Sequence, residues 1–271
     1  VNNFWRRTFT SIIFTGTLLG CIFYGPYSFF ILFSLIALLT LREFYVIIAN
    51  HGIQPQQVTG LGIAVVMLLT VILYLIGIVR PAVLFINVPL LFIVLIYELY
   101  TKSEKPFHNI AFTIFGVVYI VVPFTLLMAI PYLTSAATYQ WHLVFGYFLL
   151  VWASDTGAYL TGMAFGKRKL FERISPKKSW EGSIGGMLLN LFLAWCCSKW
   201  FPDLDHLTWT ITGLLIVITG TFGDLAESLL KRTLNIKDSG NLLPGHGGLL
   251  DRFDALLVSV PFVVAFLALV R

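Results

Sequence analysis

Residues Gln57–Val79 read QVTGLGIAVVMLLTVILYLIGIV, an uncharged run that ends only at Arg80. Buried strands of soluble proteins supply apolar runs of about 4 to 8 residues, whereas a helix crossing the hydrocarbon layer of a bilayer needs about 20. This run has the length of a span, and runs like it recur on either side. They cover about 8–25, 27–49, 81–101, 107–133, 139–165, 183–201, 207–230 and 250–270. Of the 271 residues, 58% are hydrophobic and 11% charged, against roughly 25% charged in soluble domains. The reading is an all-α polytopic membrane protein with about nine transmembrane helices. Residues 1–25, with Arg6 and Arg7 before an apolar run, read as a retained first span rather than a cleaved leader.

Short polar breaks separate the runs: Gly25-Pro26, the HGIQPQQ stretch from His51, Arg80-Pro81 and the KSEK stretch from Lys102. If the spans alternate with the N-terminus inside, 15 of the 18 lysines and arginines lie inside, and only Arg80, Lys199 and Arg271 lie outside. Cytoplasmic loops carry that excess of cations. The orientation places the polar loops on the cytoplasmic side, and a bacterial inner membrane is the expected location. The net charge of +5 is therefore a topological signal and gives no reason to expect a nucleic-acid partner. Cys21, Cys196 and Cys197 all fall in apolar runs and imply neither a disulfide framework nor a zinc site.

Ionisable residues are unevenly placed. In the first half Arg42, Glu43 and Glu98 sit near predicted span ends, where long side chains can reach the interface. Three regions follow: N-terminal membrane helices (1–80), middle helices that could form a dimer interface (81–138) and a C-terminal catalytic region with cytoplasmic loops (139–271). Four clusters mark the last. VWASDTGAYLTG places Asp155 within or near the end of the sixth run, where a lone carboxylate either caps a helix at the surface or faces a cavity. GKRKLFERISPKKSWEGSIGG, residues 166–186, gathers six cations. Topology alone asks for such a loop, but Lys177, Lys178 and Ser179 before a glycine-bearing helix start also suit phosphate oxygens.

The third cluster, TGTFGDLAESLLKR, sets Asp224, Ser228 and Lys231 at i, i+4 and i+7, with Glu227 at the edge of that stripe. A carboxylate at this depth needs a partner, and a metal ion is the plainest candidate. The fourth, KDSGNLLPGHGGLLDRFD, follows glycines with Asp251 and Asp254 at i and i+3, so both can face one side, and Arg252 lies between them. An ordinary glycine-rich turn accounts for the glycines and one acid, but not for two acids and an arginine opening a span. Hard oxygen ligands, with no usable cysteine or close histidine pair, favour Mg²⁺, held by one or two carboxylates and substrate phosphates. Phosphoryl or nucleotidyl transfer to a membrane lipid fits best. An ion-coupled transporter would also carry intramembrane acids, but its outer half should not be so nearly free of charge.

The run SLLKRTLNIKDSGNLLPGHGGLLDRFD, Ser228–Asp254, resembles the signature of the phosphatidate cytidylyltransferases, the CDP-diacylglycerol synthases. That signature runs S-x-x-K-R, K-D-x-G, P-G-H-G-G and D-R-x-D. Gly223-Asp224, the SDTGAY segment at 154–159 and the SPKKSWEG segment at 175–182 are similar to the same family. The resemblance implies an Mg²⁺-dependent reaction of CTP with phosphatidate in membrane lipid, giving CDP-diacylglycerol and pyrophosphate. It implies Asp224 and Asp251 as metal ligands, assisted by Ser228, with Lys231 and Arg252 at the reacting groups. Lys177, Lys178, Ser179, Arg232, Lys237, Asp238 and Asp155 would bind substrate, with His246, Gly247 and Gly248 near phosphate. A homodimer is implied as well. A CTP-dependent polyprenol or lipid kinase is the nearest alternative.

Overall fold

The computed structural model describes residues 3–133, 138–240 and 247–270, and His246 lies outside them. Proline fixes φ near its helical value and lacks the amide that a first helical turn leaves unpaired. Three helices accordingly open on it: α2 (Pro26–Ala49), α4 (Pro81–Glu98) and α5 (Pro106–Tyr132). The helices α1 (Asn3–Tyr24) and α3 (Gln57–Leu75) complete the first half. After them come α6 (Trp141–Phe165), a hairpin of β1 (Lys169–Phe171) and β2 (Ser175–Ser179), α7 (Trp180–Trp200), α8 (His206–Thr233) and α9 (Leu250–Leu269). Among the described residues these nine helices coincide with the nine apolar runs.

Seven of them are long and apolar enough to cross a bilayer. In α1 only Thr8–Tyr24 is continuously apolar. The other exception, α7, is diluted by Gly182, Gly185, Gly186 and Asn190, which it spends on packing rather than on lipid. The antiparallel hairpin, with Lys169 opposite Ser179, turns part of the expected cationic loop into ordered structure.

Two compact units emerge. One comprises Val1–Ala129 with Asp238–Arg252, the other Ile130–Lys237 with Phe253–Arg271. In lipid, helices gain little from burying apolar surface against each other, so close packing and interhelical hydrogen bonds must hold them. The first unit is centred on α2, whose Phe29, Phe33, Leu41, Phe44 and Tyr45 are fully buried. The Tyr45 hydroxyl donates to the Thr113 carbonyl at 2.7 Å, just before a π-helical turn at Val117–Val121.

The polar stretch after α2 folds into this unit. The Gln56 amide donates to Thr113 Oγ1 at 2.8 Å, and its side chain donates to Glu98 Oε2 at 2.5 Å. Asn109 Nδ2 donates to Glu98 Oε1 at 3.1 Å. Glu98 is thus 5% exposed, and the expectation that it reaches the interface is corrected. In the dry interior two amide donors replace water around its carboxylate.

In the second unit α6 and α7 run antiparallel with glycines at their seam. A Cβ on Gly186 would lie 2.6 Å from the Ser154 carbonyl, and one on Gly157 would lie 2.8 Å from that of Gly185. Asn190 Nδ2 donates across the seam to the Leu150 carbonyl at 2.8 Å. Ser179 caps α7, accepting from the Gly182 amide at 3.1 Å, and Asp205 caps α8 through the Thr208 amide at 3.1 Å. Tyr147 and Ser259 join α6 to α9 through a 2.6 Å hydroxyl pair.

Candidate active site

A cavity of about 280 Å³ opens within the second unit. Its wall is polar at Ser154, Asp155, Ser183, Thr221 and Asp224 and apolar at Val151, Ile216 and Val217. Such a lining suits a ligand with a charged head and a greasy body. Asp155 stands ten residues before the end of α6 and lines this cavity rather than capping a helix. Along strand β2, Pro176 and Lys177 are exposed, whereas Lys178 is half-buried and Ser179 buried. Lys178 forms an ion pair with Asp224 of α8, on the cavity wall. The pair brings together two of the expected site residues, 46 positions apart.

The hairpin is held in place by Glu181. Its carboxylate accepts from the Lys167 amide at 3.1 Å and the Arg168 amide at 3.2 Å. Its own backbone N–H and those two amides hold this exposed carboxyl below the usual carboxylate range. Ser179, expected at substrate, has its hydroxyl engaged as the cap of α7.

The acidic stripe of α8 turns slightly from its expected direction. Glu227 is 1% exposed and pairs with Lys231 at 2.6 Å, so Lys231 neutralises an acid one turn earlier on its own helix. Asp254 of α9 lies near enough to Asp224 and Glu227 to feel the charge of both. The backbones meet here, because a Cβ on Gly223 would press into the Asp254 carbonyl. At this contact three carboxylates meet two lysines. Ser228 is half-buried on the same helix; Arg232, Lys237 and Asp238 are exposed, and Arg232 Nε reaches the Ile174 carbonyl at 3.5 Å.

Asp251 and Asp254 accept from different donors, and Asp254 Oδ1 takes the Ala255 amide at 2.8 Å. Asp251 belongs to the first unit. Its Oδ2 accepts from the Ser239 amide at 2.9 Å, the Ser239 hydroxyl at 2.9 Å and the Gly248 amide at 3.0 Å. Gly247 adopts φ 85°, the left-handed region that favours glycine. The Gly248 amide, expected near phosphate, is directed at Asp251. Arg252 is exposed beside it. Glu43 of α2 also enters this cluster, which corrects its placement at the interface. Its oxygens accept from Ser239 Oγ at 2.6 Å and from the Leu249 and Leu250 amides at 2.9 and 3.1 Å. Glu43 and Asp254 are the residues that sequence reasoning underweighted: the first has partners about 200 residues away, and the second lies within the recognised D-R-x-D segment.

Among the described residues no three histidines, cysteines, aspartates or glutamates form a ready metal site. The donors present near the cavity are carboxylate and hydroxyl oxygens, the kind Mg²⁺ takes in small number alongside water and phosphate.

A family model described as the cytidylyltransferase family matches residues 5–270. The chain is 34% identical over 263 residues to the phosphatidate cytidylyltransferase of Staphylococcus aureus (strain COL), covering 95% of this chain and 96% of the relative. It is 32% identical over 260 residues to that of Staphylococcus haemolyticus (strain JCSC1435), with 95% and 96% coverage. Against the phosphatidate cytidylyltransferase of Haemophilus influenzae (strain ATCC 51907 / DSM 11121 / KW20 / Rd) it is 48% identical over 124 residues, 44% of this chain and 43% of the relative.

Proposed function

The chain belongs to the cytidylyltransferase family, and on that premise we propose how its residues serve the reaction. It synthesises CDP-diacylglycerol from CTP and phosphatidate. A phosphate oxygen of phosphatidate bonds to the α-phosphorus of CTP as the bond to pyrophosphate breaks. Phosphatidate supplies the nucleophile, so the protein's part is alignment and charge neutralisation.

Asp224 and Asp251 are the proposed Mg²⁺ ligands, with Ser228 assisting. The observation that best supports a cation is the excess of carboxylate at Asp224, Glu227 and Asp254: three acids gather against two lysines, and neighbouring carboxylates repel one another unless a cation lies among them. Bound Mg²⁺ would neutralise charge and polarise phosphate oxygens. In this reading Lys178, on the cavity wall, and Lys231 draw phosphate toward α8. The exposed Lys177, Arg232, Lys237 and Arg252 guide two polyanionic substrates toward it. The apolar floor at Val151, Ile216 and Val217 receives the lipid's glycerol and acyl region.

The multi-pass membrane character is carried by seven long apolar helices. The cationic loops support an active site facing the cytoplasm across a bacterial inner membrane. For the homodimer, α4 is the plainest contact, since 11% of its span is buried within one chain. Crosslinking in native membranes is expected to capture dimers, and only monomer would overturn that assignment.

CTP labelled separately in the base and in the γ-phosphate tests the reaction. With phosphatidate and purified protein, base label is expected in the lipid product and γ label in pyrophosphate. Transfer of γ label to lipid would mark a lipid kinase instead. Ion flux in liposomes without CTP turnover would mark a transporter.

A further inference from the structure

We propose that Glu43 is a positioning residue for this reaction: from α2 it caps the start of α9 and thereby sets the direction of the Asp251 carboxylate. The inference rests on the metal role proposed above for Asp251. Five donors converge on two acids within one unit. Glu43 uses both oxygens, Oε1 for the Ser239 hydroxyl and the Leu250 amide, Oε2 for the Leu249 amide. Asp251 takes the neighbouring donors, the Gly248 amide and both Ser239 groups. The Ser239 hydroxyl carries one proton and lies within reach of both acids, at 2.6 Å from Glu43 and 2.9 Å from Asp251. Whatever Glu43 draws from that proton, Asp251 gives up, so the two carboxylates are coupled through Ser239.

The first amides of a helix have no partner inside it, and its N-terminus carries partial positive charge. Capping usually falls to a residue just before the helix. Here Leu249 and Leu250 are capped by an acid more than 200 residues away in sequence, which ties the segment Asp238–Arg252 to α2 within the first unit. Among the described residues no lysine or arginine pairs with Glu43, so its charge is balanced by N–H and O–H donors and the helix end.

Two glycines make room for it. A Cβ on Gly248 would overlap the Glu43 carboxylate and the Ser239 hydroxyl, and one on Gly240 would lie 2.8 Å from the Glu43 carboxyl carbon. These glycines leave the space that the acid fills. Glutamine at position 43 keeps the volume but has a single oxygen. Its NH₂ must then oppose either the Leu249 amide or the Ser239 and Leu250 donors. Aspartate restores both oxygens and the charge on a shorter arm, so it should recover part of the function.

The test uses the full chain in lipid nanodiscs with Mn²⁺ alone as the probe, its binding followed by electron paramagnetic resonance. Groups that hold a metal ligand in place typically cost about 10- to 100-fold in metal affinity when lost. Glu43→Gln is expected to weaken Mn²⁺ binding by about tenfold or more and to lower kcat, while KM for phosphatidate stays within about twofold. Glu43→Asp is expected to fall between. Glu98→Gln, a hydrogen-bonded acid of the same unit that is more deeply buried than Glu43, is expected to lower thermal stability but leave Mn²⁺ affinity at the wild-type value.

Wild-type Mn²⁺ affinity in Glu43→Gln, or equal weakening by Glu98→Gln, would overturn the proposal. A wild-type protein that binds Mn²⁺ but makes no CDP-diacylglycerol would overturn the assigned reaction and leave Glu43 standing. If the wild type binds no Mn²⁺, the metal role of Asp251 falls and the positioning proposal falls with it. Amide exchange at Leu249 and Leu250, unchanged in Glu43→Gln, would separately remove the capping contact.

Discussion

The Asp224→Asn variant is expected to lower CDP-diacylglycerol turnover by about 10²-fold or more while leaving a folded membrane protein. Asparagine keeps the shape and one acceptor oxygen but removes the charge that faces Lys178 and borders the cavity. Folding should survive, because both side chains of the pair are more than a quarter exposed. Such pairs are worth only about 0–1 kcal/mol. Turnover should not survive, because the same charge acts on the charge that develops on phosphate in the transition state. A second variant separates two roles for this acid. If Asp224 served only to balance Lys178, Asp224→Asn combined with Lys178→Met would recover activity. The double variant is expected to remain as inactive as the single one. Near-normal turnover of Asp224→Asn at saturating Mg²⁺, or recovery in the double variant, would contradict the ligand role.

The sequence displays its membrane helices because their cause is local. Each apolar run names its own solvent, and Pro26, Pro81 and Pro106 mark where helices begin. Contacts that assemble a site are not local in this sense. The pairing of Lys178 with Asp224 depends on the hairpin Lys169–Ser179, whose strands are too short and polar to stand out in a cationic loop. The i, i+3 spacing of Asp251 and Asp254 places both on a helix face, but neighbours decide direction: Ser239 and Gly248 for one, Asp224 for the other. Glu43 is the clearest case. Beside Arg42 at the end of an apolar run it reads as an interfacial residue, and only the return of the chain at Ser239 and Leu249 gives it donors. Glu98 is hidden in the same way by Gln56 and Asn109. In the first half of the chain, then, acids near span ends require tertiary donors before their role is visible. In the second half, closely spaced motifs make the chemistry legible without its geometry.

The seam between α6 and α7 carries the second large effect. Gly186→Val is expected to lower the melting temperature and reduce turnover more than about tenfold, whereas Gly162→Ala is expected to remain close to wild type. The two glycines lie on facing helices of one seam, and the two variants differ both in the space available and in the bulk added. A Cβ at 186 would come within 2.6 Å of the Ser154 carbonyl and 3.2 Å of the Ala158 Cβ. Backbone cannot rotate aside, and valine adds two further methyls. A Cβ at 162 would meet Ser179 Oγ at 3.5 Å and the Gly182 Cα at 3.7 Å, which is ordinary contact. Overpacking of this kind costs about 1–3 kcal/mol. Prising the helices apart would also stretch the Asn190 to Leu150 hydrogen bond, an interhelical bond worth roughly 0.6 kcal/mol in lipid. The catalytic loss follows from position, since Ser154, Asp155 and Ala158 on α6 and Ser183 on α7 line the cavity. A shift that relieves the clash at 186 therefore moves both walls of the site. Thermal unfolding and turnover measured on both variants decide the matter. Wild-type behaviour of Gly186→Val, or equal damage from Gly162→Ala, would mean that this seam does not set the spacing of the cavity walls.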